Sequence, residues 1–164
     1  MGMKRVRAAA VACGLVAIGV LTMAVGSTAA QQPIPPTGTL ELMQRAGDVS
    51  FRQIDVPPFQ GPRQRPNRGD GAVISGAVRN EAGSRVGRVQ AVGVLTNVRR
   101  EQAEIVSATF LLRGGRIMAS GADTRARVDD FAITGGTGRY AGARGTLTLT
   151  ERRRSAAFLF TFLG

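Results

Sequence analysis

Apolar and polar residues alternate one by one along the second half of the chain. Leu147 and Leu149 fall on one side of a short run, with Thr146, Thr148 and Thr150 on the other. Phe158, Phe160 and Phe162 share a side in the same way, opposite Leu159, Thr161 and Leu163. Successive side chains of an extended strand point to opposite faces, so this period of two predicts strands with one buried face. Further strands are predicted at about 39–45, 49–56, 72–79, 86–96, 103–113, 116–121 and 127–134. Turn residues separate them: Asn80 to Ser84, the Arg-Gly-Gly-Arg of 113–116, and the glycine-rich stretch 135–145. No stretch beyond residue 30 carries a helical stripe. Eight or nine short strands at this spacing imply a sandwich or a barrel. The runs 86–95 and 105–112 are apolar on both faces. A small closed barrel accounts for that if one face lines a cavity and the other is covered.

The first thirty residues have a different pattern. A basic start with Lys4, Arg5 and Arg7 leads into the uncharged apolar run 8–26, then the small residues Ser27 to Ala30, then Gln31 and Gln32. This is the three-part pattern of a secretory signal, and it predicts a secreted, extracytoplasmic protein that touches a membrane only before cleavage. The run is also long enough to span a bilayer, so a retained anchor is the other reading. Residues 31–38 form a proline-rich lead, and all seven prolines lie between Pro33 and Pro66. From Gly71 onward no proline interrupts a hydrogen-bonded sheet. The organisation expected is a signal at 1–30, the lead at 31–38 and one domain at 39–164.

Composition narrows the chemistry. The 164 residues include no His and no Trp, and the single cysteine, Cys13, lies in the signal. That excludes Ser-His-Asp and Cys-His catalysis, disulfides, and zinc or haem sites built on Cys or His. No acidic run suggests a carboxylate-held metal, so no metal and no cofactor are expected. After residue 30 the chain has 19 arginines, 11 acids and no lysine. Arginines scattered among so few aromatics point away from nucleic acid despite a pI of about 11.7.

The segment Phe131-Ala-Ile-Thr-Gly-Gly-Thr-Gly-Arg-Tyr-Ala-Gly-Ala-Arg-Gly145 closely resembles the signature of the allene oxide cyclase and dirigent superfamily. Gly69-Asp70, the hairpin at Asn80 to Gly87 and the short strand Gly115 to Gly121 follow in the same order, so the likeness covers about 39–162. It implies an all-β, calycin-like fold: an eight-stranded antiparallel up-and-down barrel with a central apolar cavity, assembled as a trimer or other homo-oligomer. Together with the signal pattern, it implies an exported protein that binds a small lipophilic reactive intermediate and steers its stereoselective cyclisation. Allene oxide cyclases close an epoxide into a cyclopentenone, dirigent proteins steer phenoxy-radical or quinone-methide coupling, and the bacterial spirotetronate cyclases perform Diels–Alder-type ring closures, so cyclase or isomerase chemistry is implied. A non-catalytic carrier of apolar ligands and a structural protein with a filled barrel are the alternatives.

Within that frame, Gly135, Gly136, Gly138 and Gly145 are expected to shape the signature's tight connection. Asp55 matches an early dirigent strand whose aspartate faces the cavity, and Arg144 matches the arginine of Ala-Arg-Gly. The pair would polarise a substrate oxygen, or alternatively form a salt bridge closing the barrel end. Tyr140 would donate a hydrogen bond to a substrate carbonyl, or else pack beneath its loop. Glu104 would point inward as an acid, or else sit solvated at a strand end. Of Thr109, Phe110 and Leu111, at least one must face the lumen, and sequence does not choose the phase.

Overall fold

The alternating runs form nine strands in a computed structural model that describes residues 36–57, 66–97 and 103–164. They are β1 (Gly38–Arg45), β2 (Val49–Ile54), β3 (Gly71–Arg79), β4 (Arg85–Asn97), β5 (Ala103–Leu112), β6 (Gly115–Asp123), β7 (Val128–Gly138), β8 (Gly145–Arg152) and β9 (Ser155–Phe162). From β3 to β9 each strand pairs antiparallel with the next, and β9 pairs with β1. A contact of β1 with β3, Met43 opposite Arg79, closes eight strands into a barrel. The ninth, β2, continues β1 after a single 3-10 turn at Ala46–Asp48 and lies along β3, with Val49 opposite Gly76 and Ile54 opposite Gly71. The predicted signal at 1–30 and most of the proline-rich lead lie outside the described residues.

The predicted strands coincide with the observed ones, with one informative exception. The glycine-rich stretch was expected to be a turn from residue 135, yet β7 runs on to Gly138. Gly135 to Gly138 pair with Met118 to Gly115 of β6, after a register shift that leaves Thr134 as the extra residue. Close packing explains the glycines there. A Cβ on Gly136 would strike the carbonyl oxygen of Tyr140, and one on Gly138, whose φ is +61°, would strike that of Gly114.

Antiparallel pairing gives the barrel two distinct ends. One carries the β3–β4, β5–β6 and β7–β8 turns and is filled with side chains. Phe110, Phe160, Leu42, Ile117 and Val78 are fully buried there and deeper in the barrel. Phe110 meets Phe158 and Phe160 edge-on, with ring centroids 5.1 and 4.9 Å apart, the geometry that brings a positive ring edge to a negative face. Tyr140 stacks on Phe162 at 6.5 Å and plugs the end.

The seam between β1 and β3 is pinned by charge. Nε of Arg79 donates to Oδ2 of Asp48 at 2.9 Å and Nη2 to Oδ1 at 3.1 Å, while Nη1 donates to the Gly83 carbonyl at 3.1 Å. The two-pronged guanidinium hydrogen bond holds the Asp48 carboxyl below the usual carboxylate range, with the Arg79 and Arg45 charges adding to it and burial opposing it. A carboxyl depressed by folding stabilises the protein above its unfolded value of about 3.9, and that contribution disappears as pH falls through the folded value. Asp48→Asn is therefore expected to lower the urea midpoint at pH 7, with the gap to the parent closing on acidification. A gap that stays constant down to pH 2 would show that the ion pair does not hold the seam.

Candidate functional site

The other half of the lumen is hollow because the residues aimed into it are small. Ala91 and Gly93 of β4 and Ala108 of β5 take inward positions between larger neighbours and leave a cavity of about 330 Å³. Phe110, Phe131 and Phe158 contribute to its apolar wall, together with Val89, Val106, Leu147 and Leu149. Its mouth opens at the end carrying the β6–β7 and β8–β9 turns. Glu104, Asp123, Glu151 and the arginines Arg152, Arg153 and Arg154 surround that opening, with Val49 and Ile74 on the β2–β3 side.

Two carboxylates meet at the mouth. Glu104 at the start of β5 and Asp123 at the end of β6 stand directly opposite each other in the ladder, so both side chains emerge on the lumen side. Gly93 makes room for the first of them, since a Cβ there would lie 2.7 Å from Oε2 of Glu104. Arg125 bridges the pair. Its backbone N–H donates to Oδ1 of Asp123 at 2.7 Å and its Nη2 to Oε1 of Glu104 at 3.1 Å. To do both, Arg125 adopts φ +58°, and it is the one non-glycine residue with positive φ among those described. Such strain persists where the surroundings impose it, and it is concentrated at functional sites. Behind them, buried Asp129 accepts from Thr124 Oγ1 at 2.7 Å and from its N–H at 3.3 Å, which fixes the β6–β7 turn.

Burial pushes the Asp123 carboxyl above its ordinary range. The hydrogen bond from Arg125 opposes this, the negative charges of Asp129 and Glu104 reinforce it, and the Arg125 charge works against it. A half-buried carboxyl whose proton affinity is raised beside an apolar cavity is suited to exchange a hydrogen bond or a proton with an oxygen placed there.

The expected site residues are dispersed. Glu104 and Phe110 line the cavity. Thr109 and Leu111 flank Phe110 and so project from the outer face of β5, because successive strand residues alternate. Tyr140 is buried at the filled end, under the Arg139 guanidinium at 5.4 Å from its ring, and packs beneath its loop. Arg144 is exposed at that same filled end, where its carbonyl accepts from Leu163 N–H. Asp55 follows β2 at the opposite end, beside Asp70, and is not among the residues lining the cavity. The structure thus separates Asp55 from Arg144 by the length of the barrel. Asp70 instead grips the chain ends around the β2–β3 connection, accepting from Val56 N–H at 3.0 Å and Asn67 N–H at 2.7 Å, and these bonds hold its carboxyl low. Asp123 and Arg125 escaped the sequence reading because only the β5–β6 register brings Glu104 to Asp123.

Comparison with known proteins places this barrel. A family model described as dirigent-like protein matches residues 53–159. A solved pyocyanin demethylase is 25% identical with a TM-score of 0.58, over 73% of this chain and 97% of its own. A pterocarpan synthase dirigent protein superposes with a TM-score of 0.63 at 14% identity, over 88% and 98% of the two chains. A Diels–Alderase from Streptomyces koyangensis gives 0.55 at 17% identity, over 75% and 64%. No curated protein matches the sequence. Of the two branches that the signature suggested, the family model is the dirigent one. That match spans more than half of the chain and falls on the barrel and its cavity, so the chain belongs to the dirigent-like protein family.

Proposed function

We propose that this barrel binds a small lipophilic reactive intermediate in its half-empty lumen and steers the intermediate's cyclisation. The observation that carries the reading is the juxtaposition of a 330 Å³ apolar cavity with a carboxyl whose proton affinity is raised at its mouth. A confined, water-poor wall holds a flexible molecule near the conformer that closes the ring, and orientation alone can lower a barrier by several kcal/mol. Asp123 hydrogen-bonds the substrate oxygen on which negative charge builds, while Arg125 holds Glu104 beside it. The reading of residues 1–30 puts this chemistry outside the cytoplasm. The neighbour at 25% identity is named as a pyocyanin demethylase, so oxidative removal of a methyl group from an oxidised aromatic ligand is the second reading, with water supplying the oxygen, the methyl carbon leaving as formaldehyde and the ligand's own ring taking up the two electrons. Formaldehyde released in equal amount with a reduced, demethylated product would mark it.

We further propose that the barrels associate with one another. Val73, Val92, Val94 and Ile105 are exposed together on the outer face of β3, β4 and β5, joined in register by the uncharged Ser107, Ser120 and Ala122. A continuous uncharged outer face suits a second copy of the chain.

Three measurements test these readings. Ala91→Phe fills the cavity from its wall, and it is expected to weaken binding of the apolar dye N-phenylnaphthylamine by about tenfold or more with little change in melting temperature. Equal binding by the variant would remove the lumen as the site. In an NMR titration of side-chain carboxyls, Asp123 is expected to titrate above the ordinary aspartate value of 3.8. Because folding raises its pKa, its contribution to stability falls as pH rises through that value, so Asp123→Asn gains on the parent between acid and neutral pH. A carboxyl titrating at or below that ordinary value would dismiss Asp123 as the group of raised proton affinity. Sedimentation velocity at micromolar concentration is expected to report an oligomer that Val92→Glu dissociates, and a parent already monomeric would refute the association.

A further inference from the structure

We infer that Gln44 is a ligand-orienting residue: its side-chain amide donates a hydrogen bond to an oxygen acceptor on the bound molecule, so the barrel selects lipophilic ligands that carry a carbonyl or ether oxygen. This deepens the proposed function and rests on its ligand-binding lumen.

Gln44 is the last inward residue of β1. Leu40, Leu42 and Gln44 alternate with the outward Glu41, Met43 and Arg45. Gln44 is only 5% exposed and lines the cavity. Its Nε2 is buried and has no hydrogen-bond partner among the described residues. An amide carries two N–H donors, and burying them without an acceptor is unfavourable, so buried side-chain amides are ordinarily satisfied.

The wall is shaped around this amide. Gly76 of β3 faces the lumen across the seam, and a Cβ there would collide with Nε2 of Gln44 and with the Asp48 carbonyl oxygen. Any larger residue at 76 would displace the amide from its seat. The same device recurs across the lumen, where Gly93 clears space for the Glu104 carboxylate. These two glycines thus each accompany a polar side chain that leans into an apolar chamber. A leucine at 44 would fill the wall without an orphan donor. An amide there has its use when a ligand supplies the missing acceptor.

Geometry narrows the ligand further. Gln44 sits on β1, whereas Glu104 and Asp123 sit on β5 and β6 on another part of the wall. A molecule that hydrogen-bonds to Gln44 and also reaches Asp123 is held at two points, with its hydrocarbon against Phe110, Phe131 and Phe158. Two-point attachment is what selecting one folded conformer of a flexible substrate requires.

The test uses two probes of nearly the same shape, the ketone fluorenone and the hydrocarbon fluorene, and the full chain. The parent is expected to bind fluorenone about tenfold more tightly than fluorene after correction for their different water solubility, the upper range for one net hydrogen bond. The ketone C=O stretch is expected to shift to lower frequency on binding. Gln44→Leu should bind fluorene as the parent does, lose the preference for the ketone and lose the infrared shift. Gln44→Met serves the same purpose should the leucine variant fail to fold. A parent that binds both probes without preference, or a variant that keeps both the preference and the shift, overturns the role of Gln44 and leaves the cavity reading standing. A parent that binds neither probe overturns both.

Discussion

Closure of the barrel hangs on a short seam. The two strands that must meet, β1 and β3, share a single ladder position, Met43 with Arg79, whereas every other neighbouring pair is joined over six positions or more. The Asp48–Arg79 ion pair reinforces that weak junction with a fork of two hydrogen bonds. The 3-10 turn at Ala46–Asp48 is what allows it. By spending three residues out of register, the chain redirects β1 into β2 and points Asp48 back at the end of β3. Without closure the sheet would keep two free edges and there would be no inside.

Once the inside exists, side-chain volume decides how it is used. Large residues fill the end nearest Tyr140, where aromatic rings pack against one another. Towards the other end, Ala91, Gly93 and Ala108 replace them, and the lumen opens. The floor of the cavity is therefore the same aromatic cluster that forms the core, so the rigid part of the protein also sets the cavity's depth. The polar groups enter this chamber from separate strands. Glu104 and Asp123 come as a register pair with Arg125 clamped across them, and Gln44 comes from the far side beside a glycine. The chemistry available is accordingly that of shape, one carboxyl of raised proton affinity and directed hydrogen bonds. It needs neither imidazole nor thiol, which suits a chain without histidine.

The cationic triplet Arg152 to Arg154 takes on a definite place in this arrangement. In the sequence it is one more cluster in a basic chain. In the fold it is the β8–β9 turn, and it borders the cavity mouth opposite the two acids. Charges of both signs around an apolar opening create a field across the entrance. Within the low-dielectric wall that field is stronger than it would be in water.

The order and boundaries of the strands were legible in the sequence because a period of two survives in any environment with one buried face. The Phe158–Phe160–Phe162 stripe and the Leu147–Leu149 pair point inward as their alternation demands. The signature glycines also announced close backbone packing, although it took the β6 partner to turn part of that stretch from loop into strand. The site was less legible. Glu104 and Phe110 could be suspected singly, but the phase that puts Phe110 inside and Thr109 and Leu111 outside depends on which neighbour each strand finds. Asp55 and Arg144 match positions in a family pattern, yet they come to rest at opposite ends of the barrel. Local sequence thus determined the strands, their turns and the absence of histidine chemistry, because those follow from residue type and spacing alone. Register, closure and the filling of one half of the lumen decided which polar groups meet, because a side chain's neighbours across a ladder are set by pairings between distant parts of the chain.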